Sequence, residues 1–185
     1  MFIEVKRMSI AAFIEKNVDI PADTTVSLEK GVLKVKGPKG ALEREFIDPA
    51  VSLSIRDNAV LVRAEFPNMR EKVMIGTWNS HVKNMMKGVT KGYTYTMKLV
   101  YSHFPVKVTV KDDRVVIENF MGEKSPRYAK ILEGTKVNVK GDQVVLEGIN
   151  KEAVGQTMAN IEKATKVKGF DNRVFQDGIY LTDKE

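Results

Sequence analysis

The feature that most constrains this chain is that it repeats itself. Residues 51–64, VSLSIRDNAVLVRA, align with residues 135–148, TKVNVKGDQVVLEG, at an offset of 84. Leu53 then meets Val137, Ile55 meets Val139, and Val60, Leu61 and Val62 meet Val144, Val145 and Leu146. Each segment reads as two short strands around a polar turn, Arg56-Asp57-Asn58 in one and Lys140-Gly141-Asp142 in the other. A second hairpin precedes each of these. VSLEKGVLKV (26–35) resembles VTVKDDRVVI (108–117), and strand 41–46 has a looser counterpart in 127–132. A repeat of this kind restricts the fold to two copies of one unit.

A helix closes each copy. Asn68 is placed to cap the first, with Met69, Val73, Trp78, Val82 and Met85 at helical spacing. Asn150 is placed to cap the second, with Val154, Met158, Ile161 and Thr165 on one face. Gly88 and Gly169 stand where C-terminal caps are expected. An amphipathic helix must bury its stripe, and a sheet face is its natural cover. The expected fold is therefore α+β: two tandem copies of an antiparallel β-sheet packed on one α-helix. The expected boundaries are 1–17 unassigned, 18–88 the first copy, 89–105 a connecting strand segment, and 106–185 the second copy with a tail. No Gly/Ser-rich linker separates the copies, which predicts a fixed relative orientation.

Composition excludes several functions. Of 185 residues, 43% are hydrophobic and 29% charged, enough for a packed core. There is no cysteine, so disulfides and thiolate zinc sites are ruled out. The two histidines, His81 and His103, lie far apart. No run of 18 apolar residues suggests a membrane span, and residues 1–16 lack the apolar core of a signal peptide. The expected compartment is the cytoplasm. Residues 1–17 match no pattern, and Met8 is a candidate alternative start.

The net charge of +6 is compatible with a polyanionic partner, and its distribution says more. From Lys72 to Lys111 there is no Asp or Glu, while seven lysines occur, among them Lys91. The same stretch holds Tyr93, Tyr95, Tyr101 and Phe104. Carboxylates would oppose phosphate binding, so an acid-free stretch suits a nucleic acid, although lysines also serve solubility. Two more clusters lie in the second copy: Lys124, Arg127 and Lys130, then Lys163, Lys166, Lys168 and Arg173. The latter leads into what reads as an irregular tail, able to follow an RNA surface.

Other motifs carry less. GPKG at 37–40 lacks the Gly-Lys-Ser/Thr of a phosphate loop and reads as a hairpin turn. Met69, Met74, Met85 and Met86 read as core filler. Tyr93 and Tyr95 share a strand face and could stack on bases, but packing between the copies is the preferred use. His81 has no carboxylate near it in sequence and reads as a structural polar contact. His103, beside Phe104 and Pro105, could touch phosphate or orient a bend. Asp112-Asp113 reads as a turn rather than a catalytic pair. No nucleophile, base and orienting group assemble, so no catalytic, metal or cofactor site is expected.

Several segments resemble one family, the archaeal and eukaryotic form of the sixth protein of the large ribosomal subunit. They are TW..HVKNMMKGVTKGY (77–93), MKLVYSHFP (97–105), NFMGEK (119–124), RVFQDGIY (173–180) and the hairpin KVKGPKG (34–40). The resemblance spans about residues 18–182. It implies a duplicated α+β fold and binding to large-subunit ribosomal RNA near the sarcin–ricin loop, beside the docking site of translational GTPases. It also implies neighbouring large-subunit proteins as partners, with no membrane and no small-molecule substrate. Carried over by motif, the RNA contacts are Asn119, Gly122, Glu123 and Lys124, then Arg173, Phe175 and Asp177, with Tyr101 to Pro105 alongside. Glu123, Phe175 and Asp177 could instead shape the loops. The full expected set is Lys91, Tyr101, His103, Asn119, Gly122, Lys124, Arg127, Lys130, Lys163, Lys166, Lys168 and Arg173. Alternatives are an RNA-binding protein outside the ribosome, a protein-interaction scaffold, and a hydrolase using His81 or a carboxylate pair.

Overall fold

A computed structural model of the chain describes residues 13–171 and 173–185. Met8 and most of the unassigned N-terminal segment lie outside the described residues. The chain divides into two compact units between Val89 and Thr90.

The first unit holds β1 (Phe13–Asp19), β2 (Thr25–Glu29), β3 (Val32–Gly37), β4 (Gly40–Glu45), β5 (Val51–Arg56), β6 (Ala59–Glu65) and α1 (Met69–Thr90). Its strands form two three-stranded antiparallel sheets, β1–β6–β5 and β2–β3–β4. The second unit holds β7 (Tyr93–Val100), β8 (Lys107–Lys111), β9 (Arg114–Glu118), a 3₁₀ turn (Phe120–Gly122), β10 (Arg127–Lys130), β11 (Thr135–Lys140), β12 (Gln143–Gly148), α2 (Lys151–Ala164) and β13 (Gly178–Lys184). Its sheets are β10–β9–β8 and β11–β12–β7–β13. Each copy thus has two sheets, where alternation alone suggested one. Alternation specifies which face a residue occupies, and leaves the strand partners open.

The repeat is visible in the register. Leu53 pairs with Val62 and Ile55 with Val60. Val137 pairs with Leu146 and Val139 with Val144. The first copy's turn, Asp57-Asn58, has φ of 46° and 61°, the left-handed pair of a type I′ hairpin, which Asn and Asp tolerate. β1 and β7 play the same part, each pairing along the strand before its helix. Beyond this common plan the second unit adds β13, on the free edge of β7, and the 3₁₀ turn Phe120–Gly122.

One apolar cluster in each unit joins both sheets to the helix. In the first, Leu33, Val35, Phe46, Val60 and Val62 meet Ile75, Trp78, Val82, Met86 and Val89. Phe46 and Trp78 meet edge to face at 5.3 Å. The buried stripe of α1 therefore begins at Ile75, and Met69 and Val73 are 78% and 66% exposed. The first turns of α1 run past the core, so these two sit on helical spacing without burial. In the second unit Met97, Leu99, Ile117, Phe120 and Leu146 meet Val154, Ile161 and Ile179. Fully burying each such side chain stabilises by roughly 1.5–3 kcal/mol.

Both asparagine caps form. The Asn68 carboxamide oxygen accepts from the N–H groups of Arg70 and Glu71, and Glu71 reaches back to the Asn68 N–H at 2.7 Å. Asn150 accepts from the Glu152 N–H at 3.0 Å. The C-termini differ from expectation. Gly88 is buried inside α1, which runs on to Thr90. α2 stops at Ala164, well before Gly169, and at the Thr165 C-cap the hydroxyl donates back to Ile161 O and accepts from the Ile179 N–H of β13.

Candidate nucleic-acid interface

Three segments of the second unit converge where β7 ends. β7 delivers Tyr101–Pro105, β9 and β10 hold residues 119–126 between them, and α2 releases 165–177. Each is tied to another. The Asn119 side chain donates to Pro105 O at 3.0 Å. Asp177, 1% exposed, accepts the Ser102 N–H at 3.0 Å. His103 and Phe175 lie with ring centres 6.1 Å apart, and Phe175 packs on Phe170 at 5.0 Å.

Asn119, Met121 and Gly122 all have left-handed φ (59°, 55° and 75°), so 119–122 is a tight coil. A Cβ on Gly122 would stand 3.0 Å from the Phe104 ring. Glycine is thus favoured there twice, by backbone angle and by space.

Arg127 is the knot. Its Nε donates to Glu123 at 2.8 Å and its Nη2 to the other Glu123 oxygen. Its Nη1 donates to Ala164 O at 2.9 Å and Lys166 O at 3.1 Å, the open carbonyls at the end of α2. The guanidinium also lies 4.4 Å from the centre of the Phe120 ring. Four of about five guanidinium donors are therefore spent inside the protein. The side-chain hydrogen bond from Arg127, joined by its charge, holds the Glu123 carboxyl below its ordinary pKa.

Most of the expected site comes together here. Tyr101, His103, Asn119, Gly122 and Lys124 lie on the first two segments, and Lys166, Lys168 and Arg173 on the third, with Lys163 on the last turn of α2. Among the described residues none of Lys124, Lys163, Lys166, Lys168 or Arg173 forms an ion pair, and all five are exposed. Two expected residues lie elsewhere. Lys91 precedes β7, roughly 25 Å of strand from Tyr101 at about 3.3 Å per residue. Lys130 ends β10 opposite Arg114, away from the loop. Tyr93 and Tyr95, 4% and 6% exposed, are buried within the core of the second unit, so neither offers a face to a base. Burial, then the charge of Tyr95, pushes the Tyr93 hydroxyl up from its usual pKa.

The structure joins Phe104 of the expected Tyr101–Pro105 segment to two apolar residues, Phe170 and Val174, that charge did not single out. Phe104, Phe170 and Val174 are 42%, 55% and 65% exposed among the basic side chains. Apolar surface interleaved with cations suits unstacked bases. The signal was present in sequence as aromatics beside Lys and Arg, as in K-G-F-D and R-V-F. Among the described residues no group of three or more His, Asp or Glu side chains is placed to hold a metal ion. No helix there is long and apolar enough to cross a membrane.

Two copies of one unit, with a loop-built basic surface on the second, define a duplicated α+β protein with one specialised copy. The family model described as Ribosomal protein L6 matches residues 20–92 and again 104–178, one match for each copy. The large ribosomal subunit protein uL6 of Methanobrevibacter smithii is 51% identical over 178 residues, 96% of this chain and all of that one. Those of Methanosarcina mazei and Methanococcus vannielii are 50% and 46% identical, over 92% and 96% of this chain and 97% of each of theirs. The chain belongs to the ribosomal protein L6 family.

Proposed function

We propose that this chain is a structural constituent of the large ribosomal subunit, and that its second unit binds large-subunit ribosomal RNA through the three converging segments. The observation that carries this is the convergence itself. Side-chain hydrogen bonds that span 14, 37 and 75 residues of sequence tie the loops together, and the loops present unpaired cations and exposed rings on one surface. The cations neutralise phosphates, and the shaped loops fit the RNA. Arg127, Glu123, Asp177 and Phe175 act by holding loop shape. No bond is made or broken, and the family is not an enzyme family.

A position near the sarcin–ricin loop, beside the docking site of translational GTPases, rests on the resemblance of NFMGEK and RVFQDGIY to the family's motifs. The same resemblance supports neighbouring large-subunit proteins as partners and the cytoplasmic ribosome as the place of work. Binding of the purified full chain to large-subunit RNA tests the reading. With about six phosphates contacted, log K should fall against log salt with a slope of roughly −4 to −5. A flat salt response contradicts it.

A further inference from the structure

Beside the converging loops, a cleft of about 400 Å³ opens between the end of α2 and β13. Val167 and Phe175 contribute apolar wall, and Lys163, Lys166 and Glu162 stand around it. Tyr180 completes it in an unusual posture. Its ring folds back over Gly178 so closely that a Cβ there would lie 2.9 Å from the ring carbon Cζ. The Tyr180 hydroxyl donates to Gln176 O at 3.1 Å, which pins the ring in place. Tyr180 as a whole residue is still 44% exposed and lines the cleft. One side is thus packed on backbone while another remains open to the cleft.

We infer that this cleft receives an unstacked RNA base, with the Tyr180 ring as its stacking platform. The inference rests on the RNA-binding reading above and assigns it a particular contact. A fixed aromatic ring loses little freedom when a base stacks on it, and every base presents a π-face. Lys163 and Lys166 are placed for the phosphates flanking that base. Glu162 argues against a phosphate inside the cleft, since a carboxylate repels it, whereas base edges offer N–H donors that a carboxylate accepts. The glycine at 178 has a role here as well: any larger residue would push the ring off its seat.

The test uses the full chain and transcribed large-subunit RNA, with affinity measured across a salt series. Tyr180→Leu should weaken binding about tenfold without changing the salt slope, because stacking releases no counterions. Tyr180→Trp should bind within about twofold of the parent, since the ring is kept. Lys163 and Lys166 replaced together by Ala should flatten the slope. Parent-like binding by Tyr180→Leu, with the parent's slope still steep, overturns the base cleft and leaves the RNA reading standing. A parent that fails to bind RNA overturns the RNA reading itself. Circular dichroism checks the variants. If Tyr180→Leu does not fold, ultraviolet crosslinking of the parent in assembled subunits decides: a nucleotide on Tyr180 or Phe175 supports the cleft, and a protein crosslink there without a nucleotide overturns it.

Discussion

The two units share a plan and differ at one end. In the first, β3 and β4 are joined by the tight turn Pro38-Lys39, whose Lys39 N–H donates to Val89 O near the end of α1 at 3.0 Å. In the second, the corresponding strands β9 and β10 are joined by residues 119–126, and Arg127 ties that loop to the end of α2. Both units stitch the same hairpin to the same helix terminus, one with a backbone bond and a short turn, the other with an arginine and a long loop. The first unit ends with its helix, and the second continues through a tail that returns as β13. Charge follows the same division. Residues 18–65 carry seven Lys/Arg against eight Asp/Glu, and there Lys34 pairs with Glu29 at 3.4 Å. The units differ in loops and in a tail carried on a shared scaffold, and loops are where function can change without disturbing a core.

The largest expected effect sharpens that division. Replacing Lys124, Lys166, Lys168 and Arg173 by Ala should weaken RNA binding by roughly 4 kcal/mol, at about 1 kcal/mol per independent contact. Replacing Lys30, Lys34, Lys36 and Lys39 should cost much less. Filter binding of both quadruple variants reads the comparison, and equal losses would break it.

Arg127→Ala should come next. It removes the cap of α2 and the Glu123 pair, and should lower unfolding free energy by about 2 kcal/mol in a denaturant titration. An RNA-affinity loss with unchanged stability would instead make Arg127 a direct phosphate ligand. Gly122→Ala should cost about 1 kcal/mol, mainly from its left-handed backbone, as Phe104 is exposed enough to shift. The same measurement reads it.

The smallest effect is in pH. The folded pKa of Glu123 lies below its unfolded value, about 4.3, so its contribution is present above that pH and is lost as pH falls through the folded value. The pair is partly solvent-exposed, so the contribution should stay below about 1 kcal/mol. Glu123→Gln should remove that part of the acid dependence in a stability–pH series from pH 6 to 3, and an identical acid limb would contradict the pair.

Much of this fold was legible. Alternation marked both hairpins and their turn regions, though Arg56 and Lys140, read as turn residues, pair with Ala59 and Gln143 as the last strand positions, and Asn68 and Asn150 marked both helix starts. β1 was not, because Lys16 stands where β7 has Tyr95 and the repeat fades there. β13 was not, because its partner edge is created by a strand some 80 residues earlier. The basic residues of the site were visible as clusters. Charge alone could not separate Arg127, which faces carbonyls and a carboxylate, from Lys124, which faces solvent. Nor could it move Lys91 and Lys130 away from the surface that the fold assembles.

Crosslinking in assembled large subunits shows whether the second unit's loops hold the RNA, by mapping which protein segments join to it. Nucleotides are expected on residues 101–105, 119–124 and 163–180, and few on 26–45. Crosslinks concentrated on the hairpins of the first unit, with the three converging segments silent, would contradict it.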